Sequence, residues 1–199
     1  FAYQVDLLSK KGYRVIALDL TSHGDSGALP TRSINEHAED VHKTLQKLGV
    51  KDLILGGHSM GTQVALAFLK NHVLSEEKLP AQKRSYSLQG AMLFSGWVKP
   101  FANPRLKAIA EFVESRNFGP IRHGGRKIKL PPAVLRFLCF SLTSKNNVFI
   151  NSAPKFGLSS AQQLAQLGAE QYKTEDAAVL TSVAKHHPVL LLHGEDDKI

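Results

Sequence analysis

Asp52-Leu53-Ile54-Leu55-Gly56-Gly57-His58-Ser59-Met60-Gly61 is an apolar run that ends in the pattern Gly-x-Ser-x-Gly, carried by Gly57, Ser59 and Gly61. Leu53, Ile54 and Leu55 have the length and composition of a short buried strand. Beyond Gly61, the residues Val64, Ala65, Ala67, Phe68 and Leu69 give a mostly apolar helix that has to be buried. A strand that passes straight into a helix turns sharply, and the residue at the bend is held out at the end of the sheet. Gly57 and Gly61 are expected where a side chain would collide with the strand or helix packed against that turn. The backbone N–H of Met60, at the start of the helix, is expected to face the oxygen of a carbonyl attacked by Ser59. Five residues recur by chance, so the strand before and the helix after carry the reading.

Upstream, Val5 to Lys11 reads as the end of a helix, with Lys10 and Lys11 in its last turn and Gly12 at its C-cap. Tyr13-Arg14-Val15-Ile16-Ala17-Leu18 is rich in β-formers and is expected as a strand. It runs into Asp19-Leu20-Thr21-Ser22-His23-Gly24-Asp25-Ser26-Gly27, a loop of small and polar residues that Pro30 prolongs. From Ser33 to Leu48 an amphipathic helix places Ile34, His37, Ala38, Val41, Leu45 and Leu48 on one face, and Gly49 stops it.

Downstream, Ser75 to Ser87 is polar, contains Pro80, and reads as a surface loop. Leu88 to Phe94 is the next strand, and Pro188 to Leu192 gives another that runs into His193-Gly194-Glu195-Asp196-Asp197. Short apolar strands alternating with helices predict an α/β fold: a doubly wound, mostly parallel sheet whose chemistry sits at the carboxyl ends of its strands. Between Trp97 and His187 the alternation stops. Helical stretches there (Leu106 to Phe112, Ala133 to Leu142, Ala161 to Leu167, Glu175 to Ala184) are broken by prolines. The expected organisation is a sheet core over 1–98, a helical cap insertion over 99–186 that shapes a pocket, and a core strand with an acidic loop over 187–199.

The chain has 199 residues, enough for one sizeable core, and a formal net charge of +8. Much of the excess lies in the first part of the cap, where Lys99, Arg105, Lys107, Arg116, Arg122, Arg126, Lys127, Lys129 and Arg136 outnumber Glu111 and Glu114. A solvated surface is one reading of this, and contact with anionic lipid headgroups or an acidic substrate is the other. No basic stripe interleaved with aromatics is present, so nucleic acid is not an expected partner. The single cysteine, Cys139, lies among Phe137, Leu138 and Phe140, reads as a buried thiol and suits a reducing, cytoplasmic compartment. No apolar run approaches the ~18 residues of a membrane span. Neither His186-His187 nor Glu195-Asp196-Asp197 has the spacing of a metal site, and Gly56-Gly57 lacks the lysine of a phosphate loop, so no cofactor is expected.

Three motifs in order carry a resemblance: Asp19 with His23-Gly24-x-Ser26, then Gly57-His58-Ser59-Met60-Gly61, then His193-Gly194-Glu195-Asp196-Asp197. The chain resembles the α/β-hydrolase superfamily, in particular its single-domain serine esterases and lipases with a helical cap. The first motif departs from the usual pattern in having Ser22 where glycine is common. The resemblance implies Ser59 as nucleophile, the N–H of Met60 as an oxyanion donor, and Asp197 as the acid, with Asp196 as fallback. It makes His23 a turn residue.

A serine hydroxyl needs a neighbouring imidazole to take its proton, and a carboxylate to hold that imidazole in the useful tautomer. The superfamily order is serine, acid, histidine, and no histidine follows Asp197 before Ile199. His58 adjoins the nucleophile and should diverge from it, while His186, His187 and His193 precede or open the acid loop. The expectation is therefore a hydrolase core whose triad histidine lies outside these residues. Phe1 is likewise expected to fall inside a longer chain, downstream of the first oxyanion loop. The leading function is cleavage of a carboxylic (acyl or lipid) ester through an acyl-enzyme on Ser59, with the substrate class suggested by Phe112, Phe118, Leu135, Phe137, Leu138 and Phe140 in the cap. The alternative is a non-catalytic α/β-hydrolase-like binding or scaffold module. Thioester or C–C bond cleavage on the same fold stays open, and epoxide or haloalkane hydrolysis, which needs a carboxylate in place of Ser59, is disfavoured.

Overall fold

A computed structural model describes residues 1–21, 23, 26, 33–96 and 176–195. In chain order the helices and strands of this part are α1 (Ala2–Lys10), α2 (Ile34–Lys47), β1 (Asp52–His58), α3 (Met60–His72), β2 (Ser87–Phe94), α4 (Ala177–His186) and β3 (Val189–Leu192). The strands form a parallel sheet in the order β1-β2-β3.

Parallel neighbours need a crossover, and α3 supplies the one between β1 and β2. Eight consecutive residues of α3, Thr62 to Leu69, are buried, as its apolar composition requires. It packs against α2, α4 and β1. The core they share gathers Ile34, Ala38, Val41 and Leu45 from α2, Val64 to Leu69 from α3, Leu53 from β1, and Leu88, Ala91 and Leu93 from β2. The apolar face expected on α2 is thus the face that is buried, His37 included. Leu48, expected on that face, is the C-cap and is exposed.

The start of α2 is a capping box. Ser33 accepts a hydrogen bond from the Glu36 N–H at 3.2 Å, and the Glu36 carboxylate accepts one from the Ser33 N–H at 2.8 Å. Gly12 and Gly49 follow the ends of α1 and α2 with φ of 86° and 64°, the left-handed conformation that glycine enters at little cost.

One irregularity interrupts the ladder. Leu53 pairs with Leu88, but Ile54 pairs with Gly90, so Gln89 is an extra residue on β2. From there the register runs unbroken to His58 opposite Phe94.

Two expectations are corrected and a third is filled in. Tyr13 to Leu18 forms no strand among the described residues. β-propensity supplies side chains that suit a sheet, but a strand also needs a hydrogen-bonded neighbour, and here the contacts are of another kind. The Tyr13 N–H donates to the Leu8 carbonyl, the Arg14 guanidinium donates to the Leu48 carbonyl at 3.2 Å, and Ile16 leans on the core. The surface loop after α3 contains two short 3-10 turns, Leu74–Glu76 and Ala81–Lys83. The last helical stretch read as cap, here α4, packs on α3 with Val183 fully buried, which places it with the sheet core. Residues 97–175, which include the remainder of the expected cap, lie outside the described residues. Among the described residues no helix is long and apolar enough to cross a membrane.

Candidate active site

β1 hands over to α3 at Ser59, whose backbone has φ 52° and ψ −123°. This is one of two positive φ values at non-glycine residues in the described chain, the other being Ser95 at 44°. Such a conformation costs a non-glycine residue on the order of 1–3 kcal/mol, so the surroundings have to enforce it. They do so from two sides. The Ser59 N–H donates to the Phe94 carbonyl at 2.9 Å, continuing the β1–β2 ladder into the bend. On the far side the Thr62 N–H donates to the Ser59 carbonyl at 2.9 Å, which winds the first turn of α3 directly onto the bend.

Gly57 makes this turn possible. A Cβ there would lie 2.3 Å from the Gly61 oxygen and 2.9 Å from the Thr62 nitrogen. The helix backbone thus sits against the strand with no space for a methyl group. The collision expected at Gly61 is not found: a Cβ there meets nothing within 4 Å among the described residues. The requirement for glycine is one-sided, because only the strand side of the turn faces backbone.

Ser59 is half-buried and its side chain makes no cap hydrogen bond to the helix it begins. Its own N–H is committed to Phe94, so within this turn a donor for a bound anion has to come from the next residues. Met60 and Gly61 are the first helical residues, whose N–H groups have no intrahelical acceptor and carry the positive end of the helix dipole.

The same rim continues across the sheet. The Ser95 N–H, just past β2, donates to the Leu192 carbonyl at 2.8 Å. The ends of β1, β2 and β3 therefore lie side by side, and two strand spacings, roughly 10 Å, separate the exits of β1 and β3. His193-Gly194-Glu195 leaves β3 at this rim, exposed. Asp197 and the fallback Asp196 lie outside the described residues.

The histidines divide clearly. His58 is exposed, and its ring stands nearly perpendicular to that of Phe1 with centroids 6.4 Å apart. The His23 ring bonds the Thr21 carbonyl at 3.1 Å, and its backbone closes turns with Leu20 and Ser26, as a loop-forming residue does. His186 ends α4 and His187 caps it, donating its N–H to the Val183 carbonyl. Among the described residues, no histidine ring hydrogen-bonds to Ser59.

A second polar cluster, which the sequence reading missed, occupies the opposite rim. The His72 ring, at the end of α3, stacks on the His42 ring of α2 with centroids 3.9 Å apart and planes 4° from parallel. His72 Nε2 lies 3.3 Å from a Glu39 oxygen, and the Tyr86 hydroxyl lies 2.9 Å from His42 Nδ1. Burial and the neighbouring His42 lower the His72 pKa, against the pull of Glu39 and Glu76. Burial, helped by Glu76 and Glu39, raises the Tyr86 phenol to about 12. Burial pushes the Glu76 carboxyl up, but hydrogen bonds from the Ser85 N–H and hydroxyl outweigh it and leave the pKa lowered. These groups come from four separate stretches of chain, and no local motif announces them. Among the described residues, no group of three histidine, cysteine or carboxylate side chains is arranged to hold a metal ion.

A strand, a serine forced to positive φ and a buried helix, set at the carboxyl rim of a parallel sheet, agree with the sequence comparison. The family profile of the α/β hydrolase fold matches residues 1–199. The chain belongs to the α/β-hydrolase fold family. Within this hydrolase family, solved neighbours include an esterase from Exiguobacterium antarcticum, with a TM-score of 0.70 and 20% identity over 100% of this chain and 69% of its own. A thermophilic esterase from Thermogutta terrifontis gives a TM-score of 0.62 and 26% identity over 100% of this chain and 67% of its own. Among relatives by sequence, a putative non-heme haloperoxidase of Mycobacterium phage D29 is 39% identical over 66 residues, covering 33% of this chain. The sn-1-specific diacylglycerol lipase ABHD11 of Mus musculus is 35% identical over 60 residues, 30% of this chain. The matched segments span 24% of the haloperoxidase and 20% of the lipase. This hydrolase fold therefore comes with esterase and haloperoxidase-like relatives.

Proposed function

We propose that the protein is a serine hydrolase that cleaves carboxylic esters through an acyl-enzyme on Ser59. The observation that supports this best is the strained Ser59, held at φ 52° between β1 and α3 with its hydroxyl unused by the helix it begins. A turn residue needed only for its backbone would be better served by glycine, which takes positive φ without cost.

In this reading an imidazole within hydrogen-bond reach of Ser59 takes the hydroxyl proton as Oγ attacks the ester carbonyl. The Met60 N–H stabilises the developing oxyanion. Collapse breaks the bond to the alcohol oxygen, the imidazolium returns the proton to the leaving alcohol, and water repeats the sequence to free the acid. Asp197, two residues past the described end of the β3 loop, is assigned to orient the imidazole and stabilise its cation. The substrate is a small acyl ester or a lipid, in keeping with the esterase and lipase names among the relatives. We further infer a reducing, cytoplasmic setting and, from the +8 charge, peripheral contact with anionic membrane.

The test is labelling of the full-length protein with a fluorophosphonate probe. The expected result is a single adduct on Ser59 that Ser59→Ala abolishes. An unlabelled wild-type protein, folded by circular dichroism, would overturn this reading in favour of a non-catalytic module.

A further inference from the structure

Thr62 is the third residue of α3 and is buried, although its side chain is polar. Two stretches of chain reach it. The Gly57 carbonyl of β1 lies 3.4 Å from its hydroxyl. From the loop just past β2 comes Gly96: a Cβ built there would lie 2.2 Å from Thr62 Oγ1, 2.4 Å from Cβ and 2.5 Å from Cγ2. All three side-chain atoms of Thr62 are involved, so turning χ1 exchanges the hydroxyl with the methyl and relieves nothing. The backbone of Gly96 is thus seated against the threonine, and the preceding Ser95, at φ 44°, holds it there at a conformational cost.

Gly57 alone accounts for the turn, since it lets β1 run under the Gly61–Thr62 peptide. It does not stop the first turn of α3 from rolling or sliding towards β2. Gly96 blocks that direction, and β-branched Thr62 is stiff enough to transmit the block to the helix backbone.

We propose that Gly96 and Thr62 form a clamp, reaching α3 from the loop just past the neighbouring strand, that sets the angle at which the Ser59 hydroxyl and the Met60 N–H are presented to a substrate. Thr62 and Gly96 are positioning residues: they act through Ser59 and Met60. The proposal rests on the reading of Ser59 as a nucleophile and adds to it a requirement outside the Gly-x-Ser-x-Gly pattern. A displacement of about 1 Å at a reacting group is enough for a roughly 10²-fold loss of rate.

The experiment is a double-mutant cycle on the full-length protein, read as the second-order rate of fluorophosphonate labelling at a temperature where circular dichroism shows each variant folded. Gly96→Ala should slow labelling roughly 10- to 100-fold. Thr62→Gly removes the side chain that the new methyl would strike, and the clamp with it, so the double variant should label no more slowly than Thr62→Gly alone. Thr62→Ser keeps the hydroxyl and removes the methyl, which loosens the clamp without a collision. It should slow labelling several-fold, and it carries the test if Gly96→Ala does not fold. A folded Gly96→Ala or Thr62→Ser that labels at the wild-type rate overturns the clamp while leaving the nucleophile reading intact. So does a double variant in which the losses of Gly96→Ala and Thr62→Gly multiply as independent effects. An unlabelled wild-type protein removes both.

Discussion

Two of the described helices begin at a serine. Ser33 opens α2 with φ −72° and ψ 165°, and its hydroxyl accepts the Glu36 N–H. Ser59 opens α3 with φ 52° and ψ −123°, and its hydroxyl makes no such bond. The first residue is relaxed and fully employed in holding its helix together. The second is strained, and the stability of its helix comes from elsewhere, through burial of Thr62 to Leu69. In one of these serines the hydroxyl caps the helix and in the other it does not, and the backbone dihedral separates the two.

The largest effect is expected from Ser59→Gly. It should abolish probe labelling, yet raise unfolding stability by about 1 kcal/mol through release of the positive-φ strain. A loss of stability in urea titration would mean that Ser59 is not strained, and the contrast with Ser33 would disappear. Next comes Gly57→Ala, whose methyl meets helix backbone 2.3 Å away and cannot be accommodated by a rotamer change. Labelling should fall on the order of 10³-fold, the loss expected when an oxyanion donor is displaced. Wild-type labelling would show that the strand and helix part easily.

Phe68→Ala tests whether burial alone sustains α3. Phe68 is fully buried and its ring contacts His42, His72 and Tyr86. The cost should be about 3–5 kcal/mol by chemical denaturation. A cost under about 1 kcal/mol would point to stabilisation from the turn after all.

A pH titration of the thermal midpoint probes the rim opposite Ser59. The His72 pKa is lowered in the fold, so the unfolded chain binds more protons below 6.5, and stability should fall as pH drops through that range. Glu76, also lowered, adds to the same acid-side loss below 4.5. The groups facing the His72 ring are His42 and Glu39 of α2, with Lys43 beside Glu39, and Glu76 after α3. The Tyr86 phenol is raised from 10.0 to about 12, so stability present below pH 10 should be lost as pH rises through that interval. Tyr86→Phe should remove the alkaline limb alone, and an unchanged alkaline limb would contradict the assignment.

The smallest effect belongs to the cap. Ser33→Ala should cost about 1 kcal/mol and leave labelling untouched. A change in labelling would show that the two helix starts are coupled.

How much of this was legible depended on how far apart the interacting residues stand. The start of α2 at Ser33 and the glycine stops at Gly12 and Gly49 are local and lie where the pattern places them. Ser59 between a strand and a buried helix was equally legible, because ten consecutive residues carry it. The Tyr13–Leu18 segment was misread because a strand is defined by its neighbour as much as by its own composition. Gly96 under Thr62 and His72 on His42 were invisible for a related reason. Each pairs residues about 30 positions apart, and neither glycine nor histidine signals a partner. Asp197, the acid named from the resemblance, lies outside the described residues.

The unpaired Gln89 near the start of β2 has a consequence for the length of the strand. It takes up one residue of length between Leu88 and Gly90, and beyond it the ladder runs in register to the bend. There the carbonyl at 94 meets the amide at 59 and the glycine at 96 arrives beneath the threonine at 62. Excising Gln89 would leave Leu88 and Gly90 opposite Leu53 and Ile54 in an unbroken ladder, whereas a residue removed after Gly90 would move every later position of the strand by one place and turn its inward side chains outward. This rim should therefore absorb a one-residue change of length at Gln89 and almost none after Gly90.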